Sequence, residues 1–279
     1  MNRTIKENIK SIVPSFVLKT YHSFRAQLFA LKRKRLAGNG KKGERLCNYC
    51  GNQSKAFTPT GLNVPIIREL NIKSAGTRSQ AICPHCLSKD RERTLLFFLE
   101  RMTGFFEDNN KKVLHMAPEA LLSKTIKEFL PENDYYDADL NPEHATHKVD
   151  VTAIPFKDKT FDVVICNHVL EHIPDDLLAM GELRRVLKDD GFAILQVPIS
   201  FTIAQTIEDF SITDPSGREA AFGQVDHVRV YGRDYVTRLS RSGWNVRMYF
   251  ALDFLSLEEI ERYSLIEDEP VFYCEKENL

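Results

Sequence analysis

The 279-residue sequence contains no apolar run of about 18 residues, the length that a membrane-spanning helix requires. It also lacks the pattern of a secretory signal peptide. With 43% hydrophobic and 28% charged residues, the composition is that of a globular protein. These features predict a protein of the reducing cytoplasm, with enough chain for one large or two modest domains.

The whole chain lacks a charge excess, since its net charge is −1, but its first 45 residues and the remainder carry large opposite charges. Residues 1–45 contain twelve Lys or Arg and two Glu, so they carry +10, and the remaining 234 residues carry −11. In the first segment, apolar residues recur at the spacing of one helical stripe: Val17, Tyr21, Phe24, Leu28 and Leu31. This pattern predicts a basic amphipathic helix and linker that either contacts an anionic membrane peripherally or packs on the protein.

Four of the six cysteines form two C-x-x-C pairs, Cys47 with Cys50 and Cys83 with Cys86. In a reducing compartment, such pairs favour a metal site over disulfides, and four thiolates suit tetrahedral Zn²⁺. Thirty-two residues separate the pairs, which leaves room for a hairpin near residues 58–61. Because four thiolates leave no open coordination position, we expect a structural zinc knuckle in a module of residues 46–105.

That module ends in a predicted helix over residues 88–105, where apolar residues recur at helical spacing. Arg91 and Arg93 follow the second cysteine pair closely. We expect both to be solvated helix charges, with contact to an anionic substrate as the alternative.

The most informative stretch is residues 150–172. Residues 161–166 form an apolar run broken only by Asp162, which is typical of a strand buried in a parallel sheet. Polar residues follow at once, at Asn167 and His168. Ligands of doubly wound sheets bind beyond the carboxyl ends of the strands, so we expect Asp150 and residues 167–172 on that rim.

Further elements are predicted on both sides of this stretch. Strands are expected over residues 112–117, 135–140 and 192–197, and two last strands over residues 244–252 and 271–275. A helix over residues 174–190 should end at Gly191. Residues 199–231 show little periodicity, and a long segment of this kind inside a domain usually has a function.

The stretch resembles the core of class I S-adenosylmethionine-dependent methyltransferases of type 11, whose pattern is an acid followed by L-P-F, F-D-V-V and L-E-H-I. The resemblance covers about residues 111–279 and implies a catalytic domain over residues 106–279. It implies an α/β fold, a Rossmann-like doubly wound seven-stranded sheet, preceded by the zinc-knuckle module and the basic N-terminal helix. Where the family usually has a glycine-rich turn, residues 115–119 are H-M-A-P-E, as in similar bacterial methyltransferases with an N-terminal zinc knuckle.

S-adenosylmethionine is the cofactor that the resemblance implies. Asp139 would accept both ribose hydroxyls, Asp150 would lie near the adenine amino group, and Glu119 would bind the methionyl ammonium. Each acid has a helix-cap or solvated-loop role as its alternative. The full predicted cofactor set is Ala117, Glu119, Asp139, Leu140, Asp150, Val151, Asn167 and His168.

Catalysis at a hydroxyl requires a base, and histidine titrates near neutral pH. His227 is the first candidate, and His168 and His172 are its rivals. Together with Glu171, the two rivals share one face of a helical start. Ubiquinone-pathway O-methyltransferases, which the stretch also resembles, hold a divalent metal in such a cluster, so a catalytic metal is a less favoured alternative.

The favoured function is methylation of a small polar or sugar acceptor, with lipid-linked and surface-glycan acceptors included. One alternative is an RNA base methyltransferase with a zinc ribbon, although the acidic body makes nucleic acid a less favoured partner. A second alternative is a non-catalytic cofactor-binding or scaffold protein. The expected location is the cytoplasm, with peripheral contact at the inner face of the membrane. The sequence predicts no oligomeric state.

Overall fold

The computed structural model describes residues 45–277. The strands are β1 (Arg45–Leu46), β2 (Gln53–Ser54), β3 (Thr58–Thr60), β4 (Arg78–Ile82), β5 (Val113–Met116), β6 (Tyr135–Asp139), β7 (His147–Lys148), β8 (Phe161–Asn167), β9 (Leu187–Gln196), β10 (Ile207–Glu208), β11 (Arg229–Val230), β12 (Trp244–Tyr249) and β13 (Val271–Lys276). The α-helices are α1 (Pro65–Glu69), α2 (Asp90–Arg101), α3 (Ala120–Phe129), α4 (Asp176–Val186), α5 (Pro215–Phe222), α6 (Tyr235–Arg241) and α7 (Leu257–Tyr263). Short 3-10 helices cover Leu170–His172 and Ala251–Asp253. None of these helices is long and apolar enough to cross a membrane.

A seven-stranded mixed sheet, in the order β12-β13-β9-β8-β5-β6-β7, forms the centre of the described structure. Its β5 to β9 strands are parallel, whereas β13 runs antiparallel to both β9 and β12. Apolar cores cover both faces, with α4 and α6 on one side and α2 and α3 on the other. The predicted α/β Rossmann-like doubly wound seven-stranded fold is confirmed.

β8 lies in the middle of this sheet because its residues are apolar without alternation. Apart from Asp162, every residue from Phe161 to Asn167 is buried. Side chains on both faces of a central parallel strand meet helices rather than water, so an unbroken apolar run is stable there.

Gly191 does not end a helix, contrary to the sequence prediction. α4 ends at Val186, and β9 continues from the next residue through Gly191. The pairing of β8 with β9 slips in register near this point, and a Cβ at Gly191 would lie 2.6 Å from the carbonyl oxygen of Asp162. A close approach of two strands, and not a helix cap, therefore requires the glycine.

Residues 199–231 are more regular than the sequence prediction allowed, because they contain β10, α5 and β11. The fully buried Arg229 fastens this segment to the first 3-10 helix, donating hydrogen bonds to the carbonyl oxygens of Leu170, Ile173 and Pro174. At its start, the Ile199 carbonyl accepts a hydrogen bond from the Lys73 backbone N–H at 2.8 Å. Residues 199–231 thus form a packed cover segment over the rim of the sheet, at the carboxyl ends of the parallel strands.

The predicted module of residues 46–105 packs against the C-terminal part of the chain. Leu46 and Phe97 share a small apolar core with residues of α7 and the second 3-10 helix. Arg93, predicted to be a solvated charge, is instead fully buried, and it donates to the carbonyl oxygens of Tyr263 and Ser264. The prediction was wrong because these acceptors come from a distant part of the chain. The predicted basic helix of residues 1–45 lies outside the described residues, except for Arg45.

Candidate functional site

The carboxyl ends of β5 and β8 bring four of the predicted cofactor residues together: Ala117, Glu119, Asn167 and His168. The Asn167 side-chain amide donates to Glu119 Oε1 at 3.1 Å. The second carboxylate oxygen, Glu119 Oε2, lies 2.8 Å from Nε2 of the fully buried His115. The other ring nitrogen, His115 Nδ1, is 2.8 Å from the Tyr135 hydroxyl. A buried hydrogen-bond chain therefore fixes the orientation of Glu119 at the rim.

Two residues of this rim have left-handed backbone conformations, Ala117 with φ 46° and His168 with φ 56°. Such a conformation costs a residue with a side chain about 1–2 kcal/mol. At Ala117 the left-handed conformation forms the tight turn for which the family usually has glycine. The side chain is only a methyl group, so a ligand can still approach the backbone closely. The missing glycines therefore do not prevent the rim from forming.

The two predicted ribose and adenine acids lie on the neighbouring loops. Asp139, at the end of β6, accepts a hydrogen bond on Oδ1 from the Asn141 backbone at 2.8 Å, and its Oδ2 is 4.0 Å from the His144 ring. Asp150 Oδ1 accepts from both the backbone N–H and the hydroxyl of Thr152. Each acid thus keeps one oxygen that accepts no hydrogen bond within the described residues.

The remaining two predicted cofactor residues differ in environment. Leu140 is 63% exposed, so its side chain is available to an apolar ligand surface. Val151 is 3% exposed and belongs to the main core, so its side chain is occupied by packing.

The predicted catalytic residues lie close together where the cover segment, which contains His227, packs on the rim. One ligand-type atom each of Glu171, His172 and His227 lies within 4.8 Å of the others, and the rings of His172 and His227 pack edge to face with 4.7 Å between centroids. His168 adjoins this group, with its Nδ1 3.6 Å from Glu171 Oε1. Two buried atoms here, His227 Nε2 and Glu171 Oε2, have no hydrogen-bond partner among residues 45–277.

Burial sets the protonation states of this histidine-rich cluster. It lowers the pKa of His227 to about 4, and the neighbouring His172 contributes in the same direction. It lowers the pKa of His168 well below 6.5, and the positive charges of Arg91 and Lys89 lower it further. Burial also raises the pKa of Glu171 to about 8. Near neutral pH the cluster therefore presents the uncharged rings of His168 and His227 beside a protonated Glu171 carboxyl group.

The alternative of a catalytic metal was predicted with His168, Glu171 and His172. Within the described residues, the structure groups His227 rather than His168 with the other two. The catalytic metal stays a prediction, with a changed set of candidate ligands.

The four paired cysteines converge at one point, as the two C-x-x-C pairs predict. The Cys47 and Cys86 sulfur atoms are 3.5 Å apart, those of Cys50 and Cys83 are 3.8 Å apart, and all four lie within 4.8 Å of one another. Zn–S bonds of about 2.3 Å around a tetrahedral ion place sulfur atoms about 3.8 Å apart, so the donor set fits Zn²⁺.

The two turns that carry these cysteines have the same backbone form. Gly51 N donates to the Cys47 carbonyl at 2.8 Å, and Leu87 N donates to the Cys83 carbonyl at 2.9 Å. Gly51 and Leu87 both have positive φ angles, 71° and 64°. Each turn therefore directs its pair of sulfurs toward the same centre.

Sequence reasoning missed several residues of the site. The spacing of His115 and Glu119, four positions apart across a turn, was visible but their pairing was not predicted. If residues 227–229 were extended, Arg229 would share a face with His227 and would suit an anionic acceptor, yet it is fully buried and engaged by carbonyl groups and by Glu208 at 3.0 Å. That interpretation is wrong because the cover segment folds Arg229 inward.

Residues 101–195 match the sequence model of a family described as a methyltransferase domain. Over 114 residues the chain is 27% identical to the uncharacterized methyltransferase YcgJ of Bacillus subtilis, covering 40% of this chain and 38% of that protein. Over 44 residues it is 52% identical to an uncharacterized protein of Methanocaldococcus jannaschii, covering 16% and 19%. The matched segments thus span less than half the length of either relative.

The solved structure of Bacillus subtilis YcgJ is 15% identical to this chain, covers 60% of it and 88% of the solved chain, and superposes with a TM-score of 0.36.

Residues 101–195 form part of a class I S-adenosylmethionine-dependent methyltransferase domain, as the sequence resemblance predicts. Within that class, this chain has a four-cysteine cluster ahead of the first strand of its large sheet.

Proposed function

We propose that this chain transfers a methyl group from S-adenosylmethionine to a polar or sugar group of a small-molecule or glycan acceptor, and that His227 is the general base. Lipid-linked and surface-glycan acceptors belong to this class. The observation that carries the proposal is the buried Nε2 of His227 beside the cofactor rim, which has no hydrogen-bond partner in the described part of the chain. Burying such an atom without a partner costs about 1–3 kcal/mol, so a polar acceptor group that hydrogen-bonds to it would bind favourably.

The rim supports the proposed cofactor roles through its own unsatisfied atoms. Asn167 Oδ1 is buried and has no hydrogen-bond partner among the residues that the structure describes, and the oriented Glu119 carboxylate has further lone pairs, so the two can accept hydrogen bonds from an ammonium group. Asp139 would hold the ribose hydroxyls, and Asp150 the adenine amino group. When bound, the cofactor supplies an electrophilic sulfonium methyl group.

His227 would act by taking the proton of the acceptor. A ring whose pKa lies at about 4 is uncharged near neutral pH and can accept that proton. The electron pair left on the acceptor atom would then form the bond to the methyl carbon, while the pair of the broken carbon–sulfur bond would go to the sulfur of the leaving S-adenosylhomocysteine. The cover segment around His227 excludes water and holds the reacting groups close together, which lowers the entropic barrier.

A labelled-cofactor assay on fractionated cell lipid, glycan and RNA tests the function and identifies the acceptor. Once it is known, His227→Ala should reduce kcat by about 10²- to 10⁴-fold and should leave cofactor affinity unchanged. His147→Ala, at the distant edge strand β7, is the matched control. If the mutant kept the acidic limb of the wild-type pH profile, the base would lie elsewhere, with His168 or His172 next.

The same fractionation separates the two other candidate functions. Label found in RNA would favour an RNA base methyltransferase, a role that the charge of residues 1–45 supports. Cofactor binding without label in any fraction would favour a non-catalytic cofactor-binding or scaffold protein.

The four cysteines are proposed to hold one structural Zn²⁺. The sulfur distances support this assignment, as does Arg93, a fully buried cation whose hydrogen bonds go to carbonyls and to the Ser88 hydroxyl. Four thiolates around Zn²⁺ carry two net negative charges, so the metal-loaded cluster would supply the opposite charge that a buried guanidinium needs.

Residues 1–45 are proposed to contact an anionic membrane surface from the cytoplasm, on the ground of their charge and apolar stripe. Sedimentation with phosphatidylserine-containing vesicles should fall as salt rises. A chain lacking the first 40 residues should lose this binding and keep its cofactor affinity. Equal sedimentation of the shortened chain would contradict the proposal.

A further inference from the structure

Residues 58–82, here called the insert segment, lie between the two cysteine pairs and contain β3, α1 and β4. One end of this segment is bonded to the cysteine module. The Arg78 guanidinium donates to both carboxylate oxygens of Asp90, at 2.6 and 3.1 Å, and the Ala81 carbonyl accepts a hydrogen bond from Arg93 at 3.0 Å. These bonds fix β4 to the start of α2.

The other end of the insert segment, which contains α1, packs on the cover segment. The two segments share an apolar core whose buried members are Ile67, Ile72, Phe222 and Val230. Hydrogen bonds join them as well, because the Lys73 N–H donates to the Ile199 carbonyl at 2.8 Å and the Thr202 hydroxyl donates to the Leu70 carbonyl at 3.1 Å. The insert segment thus connects the cysteine module to the cover segment.

The closest approach between the two segments is at Gly223, four residues before His227. Gly223 ends α5 in a left-handed conformation with φ 91°, and a Cβ at this position would lie 2.8 Å from Cγ1 of Ile67. The cover backbone therefore lies directly on the Ile67 side chain at the point where the turn to His227 begins. Ile67, Ile72 and His227 line the same narrow crevice between the two segments.

On its other side, His227 is held by the 3-10 helix at the rim. The Val228 N–H donates to the Glu171 carbonyl at 3.0 Å, and His172 Nδ1 lies 3.3 Å from the Asp226 carbonyl. Val225, in the turn between the two contacts, is 52% exposed, so its side chain adds little packing there. The position of His227 therefore depends on two anchors, the 3-10 helix and the insert segment.

We propose that Ile67 is a positioning residue for methyl transfer, because the insert segment holds the cover segment where the His227 ring meets the acceptor. This inference rests on the proposed function, in which His227 is the general base. If the contact with Ile67 were lost, the cover segment would open more often and His227 would spend less time in its reactive position. The cysteine module, whose two pairs flank the insert segment, would thereby contribute to catalysis as well as to stability.

The position of His227 can be measured without an acceptor. Carbethoxylation by diethyl pyrocarbonate, located by mass spectrometry, reports how accessible the His227 ring is, and hydrogen exchange of the amides of residues 222–230 reports opening of the cover segment. The full chain would be compared with its Ile67→Ala and Ile67→Val variants. Ile260→Ala is the matched control, because Ile260 is 3% exposed, as against 2% for Ile67, but packs in the small core around Leu46 and Phe97.

Ile67→Ala should accelerate amide exchange in residues 222–230 about 30-fold or more, since losing a buried isoleucine side chain weakens its packing by at least that factor. His227 should become correspondingly more reactive toward the reagent. Ile67→Val should resemble wild type, and Ile260→Ala should lower the Tm without exposing His227. Unchanged reactivity of His227 in Ile67→Ala, or an equal increase in Ile260→Ala, would overturn the inference.

Turnover then separates this inference from the function on which it rests. With an identified acceptor, Ile67→Ala should lower kcat about 10- to 100-fold and leave S-adenosylhomocysteine affinity unchanged in calorimetry, whereas Ile67→Val should keep most of the wild-type kcat. Full kcat in Ile67→Ala, with His227→Ala impaired, would defeat this inference alone. Full kcat in His227→Ala would instead defeat the proposed base.

Discussion

Replacing Glu171 by glutamine should change how the stability of the protein depends on pH. Glu171 is 1% exposed, and burial raises its pKa from 4.5 to about 8. Between these two values the carboxyl is protonated in the folded chain and ionised in the unfolded chain. The folded state therefore binds more protons, and the free energy of unfolding must fall as pH rises through this window.

The expected change in the free energy of unfolding follows from the binding of one proton. Inside the window, the slope is at most about 1.4 kcal/mol per pH unit. From pH 5.5 to pH 7.5, wild type should therefore lose roughly 2–3 kcal/mol of stability relative to Glu171→Gln, whose amide cannot ionise. His227 acts with the opposite sign between about 4 and 6.5, because its pKa is lowered, but it is present in both proteins and cancels in the difference.

Urea unfolding at pH 5.5, 6.5 and 7.5 measures this difference directly. Glu258→Gln, at an exposed position of α7, controls for the general loss of a carboxyl group. If the wild-type and Glu171→Gln stabilities ran parallel over the three pH values, Glu171 would be ionised in the folded protein. The interpretation of Glu171 as a protonated carboxyl beside the uncharged rings of His168 and His227 would then be wrong.

Three further outcomes are expected. Asp139→Ala should weaken S-adenosylmethionine binding by roughly 1–3 kcal/mol in calorimetry, and an unchanged affinity would remove Asp139 from the cofactor site. Elemental analysis should find one zinc per chain, and Cys83→Ser should lower both metal content and Tm; a metal-free, fully folded wild type would contradict the knuckle. Ala117→Gly should keep cofactor affinity and raise stability by up to about 1 kcal/mol, because glycine adopts the left-handed turn without a steric penalty; a clear loss of stability would count against that account.

The elements that could be predicted from the sequence are those whose signal is local. The apolar run from Phe161 to Cys166, broken only by Asp162, identified the central strand, and the polar residues at its end identified the rim. The two C-x-x-C pairs identified the convergence of four sulfur atoms. The apolar run and each cysteine pair are complete within a few residues, although thirty-two residues separate the two pairs.

The features that could not be predicted depend on residues far apart in the chain. A glycine after a helical pattern indicates a cap, and only the carbonyl of Asp162 shows that Gly191 is needed between two strands. Arg93 follows a typical solvated pattern, and only the carbonyls of Tyr263 and Ser264 make its burial favourable. The grouping of His227 with Glu171 likewise requires the cover segment to fold back over the rim.

The anchoring of Arg93 has a consequence for biosynthesis. Its guanidinium lies beside the cysteines near the start of the described chain, but two of its acceptors are carbonyls some 170 positions later, at Tyr263 and Ser264. During translation the cysteines leave the ribosome well before these two carbonyls. The nascent chain therefore contains all four sulfur atoms long before Arg93 can make its full set of hydrogen bonds, so the cysteine turns reach their final packing only after α7 has been synthesised.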